Sequence, residues 1–318
     1  LAAWRARGRL VYSERSDQSI SHAQEKPTMM FNPETQPLSR RQVLKFAALG
    51  AAAAVAPRRV RASDEKDPYV GLKMGMQSYS LRAFDTPTAL RHTKEFGLKY
   101  WESFPKHIPL STLPKQVAES KALLKDNGIT LMGYGVVDFD GNETKARQTF
   151  DFAKAIGLFS ISCNPKKDKA TFDLLDKLVA EYDIPIGIHN HGPHARYSKI
   201  SDVADIVKDR HPKIGACVDM GHYLRSDESP VEALERLGNR LYGVHLKDVR
   251  TINEGDRRKK IFTIIGQGDL DIPGCLRTLK KLNYQGCLSL EYEENEQNPL
   301  SDIAVSLQAV REAAAKLS

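Results

Sequence analysis

From Gly71 to the end of the chain, short apolar runs alternate with helix-length amphipathic stretches. The runs are LKMGMQSYS near 72, LKYWES near 98, ITLMGYG near 129, LFSISC near 158, IPIGIHN near 184, KIGACVD near 213, LYGVHLKD near 241 and CLSLEYE near 287. Their spacing of about thirty residues is that of one strand followed by one helix. Helical patterns fill the intervals, from TPTALRHTKEFG to PGCLRTLKKLN, and Gly97, Gly128, Gly157 and Gly238 stand where helices are expected to close. Eight such units predict an α/β fold, a (β/α)8 TIM barrel in a single domain over residues 63–318, after a leader at 1–62.

The late runs share a finer pattern. In the fifth, Ile186 and Ile188 alternate with Gly187, His189 and His191; in the sixth, Val218 stands between Cys217 and Asp219. The seventh sets Tyr242, Val244 and Leu246 against Gly243, His245 and Lys247, and the eighth sets Leu288 and Leu290 against Ser289 and Glu291. The bulky parity is expected to face outer helices, and the small parity the barrel axis. Each small parity turns polar at its carboxyl end, so His189, Asp219, His245 and Glu291 are expected to converge over the barrel mouth. Two imidazoles and two carboxylates suit one divalent ion such as Mn, Co, Fe or Zn. A single strand-end histidine is usually structural; four polar residues of one parity at equivalent ends carry the expectation.

Neighbouring residues supply candidate ligand contacts. Lys247 has inward parity and is expected to meet substrate oxygens or a neighbouring carboxylate. Glu102 ends the second run with inward parity and is expected to touch substrate, as are Asn190 and His191 on the fifth loop, with His194 beyond them. Gln77, Tyr79 and Trp101 are read as a cavity wall or as core.

Charge alters the picture mainly at the N-terminus. Of 47 Lys/Arg and 40 Asp/Glu, eleven and four lie in residues 1–62, which leaves 36 of each sign for the rest. The barrel is formally neutral, and a nucleic-acid partner has no global electrostatic support. The segment SRRQVLKFAALGAAAAVAPRRVRA (39–62) pairs Arg40 with Arg41 ahead of an apolar run too short for a stable membrane span. It resembles a twin-arginine export signal, which implies cleavage after Ala62 and a periplasmic or other extracytoplasmic location. Met29-Met30 just before the arginine pair marks residues 1–28 as expected upstream sequence. Cys163, Cys217, Cys275 and Cys287 show no metal or redox spacing, and the first, second and fourth fall in strand-like runs as small buried hydrophobes.

Four segments carry a family resemblance: CVDMGHYLRS (217–226), VHLKDV (244–249), GQGDLD (266–271) and LSLEYE (288–293). Over about residues 71–315 the chain resembles the xylose isomerase-like TIM barrels described as sugar phosphate isomerases/epimerases. The resemblance implies Asp219, His245 and Glu291 as metal ligands and His222 as a contact to substrate oxygens. Many epimerases of this kind carry a glutamate on the fifth strand as ligand and acid/base, and here that position is His189. The implied activity is metal-dependent sugar isomerisation or epimerisation, by proton abstraction next to a carbonyl through an enediolate. Glu291 would be the base, with His222 and Lys247 steadying the oxyanion. With one carboxylate retained, a 3-keto-glycoside lyase or hydrolase of the same superfamily is the alternative, and a non-catalytic sugar-binding barrel is another. The implied partner is a small sugar, keto-sugar or glycoside, and an oligomer is compatible with the pattern.

Overall fold

Eight parallel strands close into a barrel in the computed structural model, which describes residues 67–255 and 257–317. They are β1 (Lys73–Gln77), β2 (Tyr100–Ser103), β3 (Thr130–Val137), β4 (Ser160–Cys163), β5 (Ile186–His189), β6 (Ile214–Asp219), β7 (Leu241–Leu246) and β10 (Cys287–Leu290), which pairs with both β7 and β1. Each lies in one of the eight expected runs, so the TIM barrel is confirmed. The expected leader lies outside the described residues. Among the described residues no helix is long and apolar enough to cross a membrane.

The helices are α1 (Thr86–Glu95), α2 (Pro114–Asp126), α3 (Glu143–Ile156), α4 (Lys169–Tyr182), α5 (Ile200–Val207), α6 (Met220–Arg225), α7 (Pro230–Leu237), α8 (Ile272–Lys281) and α9 (Leu300–Ala315). Helix α3 shows why they form. Asn142 caps it by accepting from Lys145 N at 3.0 Å, and Ala146, Thr149, Phe150 and Ala153 bury one face at helical spacing. It ends where Gly157 takes φ 88°, a value that favours glycine. Gly97 and Gly128 behave alike; Gly238, with φ 7°, closes α7 as its C-cap, its N–H donating to Leu234 O, and leads into the 3-10 turn Gly238–Arg240.

One element departs from the simple alternation. Between β7 and α8 the chain forms an antiparallel hairpin, β8 (Asp248–Glu254) with β9 (Arg257–Thr263). Its sequence is mostly charged and lacks a clear apolar run, so alternation within it reads as polar loop. Asp248 fastens its base: the carboxylate accepts from the backbone N–H of Gly266, Gly268 and Leu270 at 2.9–3.0 Å. The GQGDLD loop is thus held by the aspartate that follows Lys247.

Parity places the core as expected. Ile186, Ile188, Val218, Val244, Leu246, Leu288 and Leu290 are fully buried. On the inside, Gly187, Cys217, Gly243 and Ser162 surround an enclosed void of about 10 Å³, room for about one water. Gly243 has to be small, because a Cβ there would lie 2.7 Å from Cys217 Sγ. All four cysteines are free and buried.

Candidate metal centre and its cavity

Strand register brings the polar ends together. Asp219 lies opposite His245 across β6 and β7, His245 opposite Ser289 across β7 and β10, and His189 opposite Cys217 across β5 and β6. Glu291 follows β10 directly, and its N–H donates to Leu246 O at 3.0 Å. His189 Nε2 stands 3.0 Å from His245 Nδ1 and 3.6 Å from Asp219 Oδ2, and His245 Nδ1 stands 3.0 Å from Glu291 Oε2.

The donor set fits a divalent ion. One atom from each of His189, Asp219, His245 and Glu291 lies within 4.8 Å of the others, and all four residues are buried. Donors bound at about 2.0–2.2 Å from one ion would stand about 3–4 Å apart. Asp219 Oδ2 and Glu291 Oε2 are buried and make no well-aligned hydrogen bond; their charge is met by the Lys247 ammonium at 3.0 and 2.8 Å, so the same two oxygens are drawn together around positive charge. Cys217 can also approach His189 and His245. Burial pushes its thiol up to about 11, so it is protonated and a poor ligand at neutral pH.

Each donor is aimed by its surroundings. Asp219 divides its oxygens: Oδ1 caps α6 by accepting from His222 N at 2.7 Å, which leaves Oδ2 for the cluster. The side-chain amide of Asn190 clamps the backbone of that same aspartate, donating to Asp219 O at 2.9 Å and accepting from Asp219 N at 2.8 Å. Asn190 is fully buried and both ends of its amide are used, so the expected substrate contact gives way to a positioning role. The expectation for Glu102 is corrected likewise. It lies beneath the cluster, where His245 Nε2 and Ser289 Oγ donate to Oε2 at 3.0 Å and Ser162 donates to Oε1. Burial favours the neutral acid, but His245 and these donors hold the carboxyl below its usual range.

Because Glu102 takes the Nε2 proton, His245 keeps Nδ1 for the cluster. Glu102→Gln puts an amide NH2 against Nε2 and favours the opposite tautomer. Metal affinity is therefore expected to fall about 10–100-fold, read by chelator competition. Unchanged affinity would show that Glu102 does not set the tautomer.

Above the donors opens a cavity of about 390 Å³, within the range of about 300–1,000 Å³ usual for small-molecule sites. His189, His191, His222, Lys247 and Glu291 line it, as do Gln77 and Tyr79 from the end of β1. Trp101 does not; it is core, stacked on His107. His194 is on the exposed part of the fifth loop. Burial lowers the pKa of His222 to about 3, and burial with the neighbouring His189 lowers that of His191 to about 4. Both rings are neutral at ordinary pH. Arg225 Nη1 lies 3.2 Å from His222 Nδ1; the guanidinium can only donate, so Nε2 carries the hydrogen.

Lys247 is the cationic member of the cavity. Its Nζ lies 3.0 Å from Asp219 Oδ2, 2.8 Å from Glu291 Oε2 and 2.5 Å from Glu293 Oε1. Burial opposes its charge, yet these three carboxylates raise its pKa. Its stem passes over Gly221, where a Cβ would come within 2.6 Å of it. For Glu291 burial again favours the neutral form, but Lys247 and His245 hold it well below the usual carboxylate range.

Three contributors escaped the sequence reading. Glu293 continues the parity of Ser289 and Glu291, a signal that was available. Phe262 reaches the site from the hairpin, with its ring 5.5 Å from that of His222, and Arg225 arrives from α6.

A family model described as "Xylose isomerase-like TIM barrel" matches residues 90–313. The chain belongs to this family. Among curated relatives, the xylose isomerase-like barrel is 31% identical over 143 residues to the rhizopine catabolism protein MocC of Rhizobium meliloti, covering 41% of this chain and 43% of that protein. It is 30% identical over 154 residues to the inosose dehydratase of Clostridium botulinum, covering 44% and 51%. The chain spans about half the length of these curated relatives. Among solved structures, an uncharacterised protein of Parabacteroides distasonis matches with a TM-score of 0.57 at 27% identity, over 76% of this chain and 98% of that one.

Proposed function

We propose that this barrel abstracts a proton next to the carbonyl of a sugar or related polyhydroxy ketone, with one divalent ion held by His189, Asp219, His245 and Glu291. The observation that carries the reading is the convergence of four buried donors, one atom each from His189, Asp219, His245 and Glu291 within 4.8 Å of one another, beside a cavity of about 390 Å³ that His189 and Glu291 line. Similarity to an inosose dehydratase over part of the chain supports the substrate class.

When bound, the ion supplies Lewis acidity toward the carbonyl and hydroxyl oxygens. The side chains supply the rest. Glu291 is held ionised and faces the cavity, so it is in the correct state to accept the proton. His222 offers Nε2–H, and Lys247 an ammonium, to the oxygen on which charge develops. Neutral His191 and Gln77 line the cavity and would bond sugar hydroxyls.

The carboxylates that line the cavity, Glu291 and Glu293, both leave the end of β10. Base chemistry is therefore concentrated on one face of the substrate. That arrangement favours isomerisation, or β-elimination of a hydroxyl or glycosidic oxygen, over epimerisation by two opposed bases. Elimination forms the carbon–carbon double bond as the β-oxygen departs with a proton, which Lys247 or His222 would donate.

The test is proton exchange in D2O, followed by NMR on a panel of ketohexoses, inososes and 3-keto-glycosides. Wild-type protein is expected to exchange the proton next to the carbonyl of at least one of them. Glu291→Gln is expected to slow that exchange about 10²–10⁴-fold, the usual contribution of a positioned base. No exchange by wild type across the panel would abandon this chemistry in favour of a sugar-binding barrel.

A further inference from the structure

Next to the catalytic cavity lies a second depression of about 360 Å³, lined by Arg225, Arg258, Lys259, Lys260, Asp227 and Pro193. Strand alternation explains how it forms. Arg258, Lys260 and Phe262 share one face of β9. Phe262 packs against His222 and lies under the Lys247 ammonium and the Arg225 guanidinium, at 5.2 and 5.0 Å. Lys260 Nζ reaches back to Leu224 O and to Asp227. That face is thus turned toward the site, and Arg258 continues it outward.

The cations are not equally neutralised. Lys260 pairs with Asp227, and Lys259 stands 3.6 Å from Glu254. Among the described residues, neither Arg225 nor Arg258 has a carboxylate partner within ion-pair distance. Arg225 is also held in place. It donates toward His222, stacks on Phe262 and lies so close to Gly192 that a Cβ there would stand 2.8 Å from its Cζ. A fixed guanidinium with spare donors, joined by a second one across a small trough, is the arrangement that recognises a planar or tetrahedral oxyanion.

We propose that this trough is a subsite for an acidic group, a carboxylate or phosphate, on a sugar whose carbonyl end occupies the catalytic cavity. Arg258 and Arg225 bind the oxyanion while Lys259 and Lys260 add long-range attraction. The substrate class is then an acidic sugar, which rests on the proposed function; the oxyanion site itself does not depend on turnover.

The experiment uses purified protein at low ionic strength, titrated calorimetrically with inorganic phosphate, with a hexuronate and with the matching neutral hexose. Wild type is expected to bind at least one of the anions more tightly than the hexose. Arg258→Ala is expected to weaken that anion about tenfold and leave the hexose unchanged, and Arg258→Lys to recover part of the loss. Whichever anion binds more tightly identifies the acidic group as phosphate or carboxylate. Equal anion affinity in wild type and Arg258→Ala, or no anion preference in wild type, overturns the subsite. Arg258 is exposed and outside the catalytic cavity, so its loss leaves the barrel intact. A second arm compares acidic and neutral keto-sugars. Arg258→Ala is expected to raise KM for the acidic one about tenfold at unchanged kcat. Arg258-dependent anion binding without turnover on any keto-sugar would sink the catalytic reading and leave the subsite standing.

Discussion

Asp219→Ala is expected to reduce the metal content of the purified protein from about one ion per chain to nearly none after dialysis, with affinity at least about a hundredfold lower. The reason is local. Asp219 Oδ2 is fully buried, 3.6 Å from His189 Nε2, 3.8 Å from His245 Nδ1 and 3.0 Å from the Lys247 ammonium. Its removal takes away one of four donors and half of the negative charge they carry. The same residue caps α6, so the alanine variant also loses about 1 kcal/mol of helix stability. Asp219→Asn separates the two effects, because the amide oxygen can still cap the helix while the charge is gone. Both variants are expected to lose the ion, and His245→Ala with them. Full metal content in all three would show that these side chains do not serve a common ion.

Lys247→Met is expected to have the largest effect on stability. The ammonium is buried among Asp219, Glu291 and Glu293, and breaking a buried charge cluster by removing one partner costs about 3–5 kcal/mol. For a domain of this size that corresponds to roughly 10 °C in the Tm of metal-free protein. A divalent ion would balance the carboxylates left without a counter-charge and no longer face a like charge beside it. The variant is therefore expected to bind metal more tightly than wild type and to regain most of its Tm when Mn is added. A metal-free Tm equal to that of wild type would show that the carboxylates do not depend on Lys247. Substrate turnover should still fall, because the oxyanion loses its cationic partner.

Period-two alternation was enough to read eight strands, their order along the chain and which side chains face the axis. That parity is a property of the extended backbone itself, so it survives any arrangement of the surrounding helices. His189, Asp219, His245 and Glu291 were legible for this reason, since each stands at the carboxyl end of an inward parity and the closed barrel leaves such residues only one direction in which to point.

Height along the barrel axis was not legible, because it depends on the stagger between neighbouring strands, which packing decides. Glu102 has the expected inward parity, yet its register opposite Gln77 and Gly133 sets it under His245 rather than in the cavity. Asn190 follows an inward histidine and therefore points away from the axis; only the fold shows that the Asp219 backbone waits there to use both ends of its amide. The hairpin is the strongest case. Its charged strands carry little apolar signal of their own, and Phe262 becomes a wall of the site only through contacts with His222, Arg225 and Lys247. Local pattern fixes which way a side chain faces, whereas what it meets is set by long-range closure of the barrel and the packing of the segment inserted beside it.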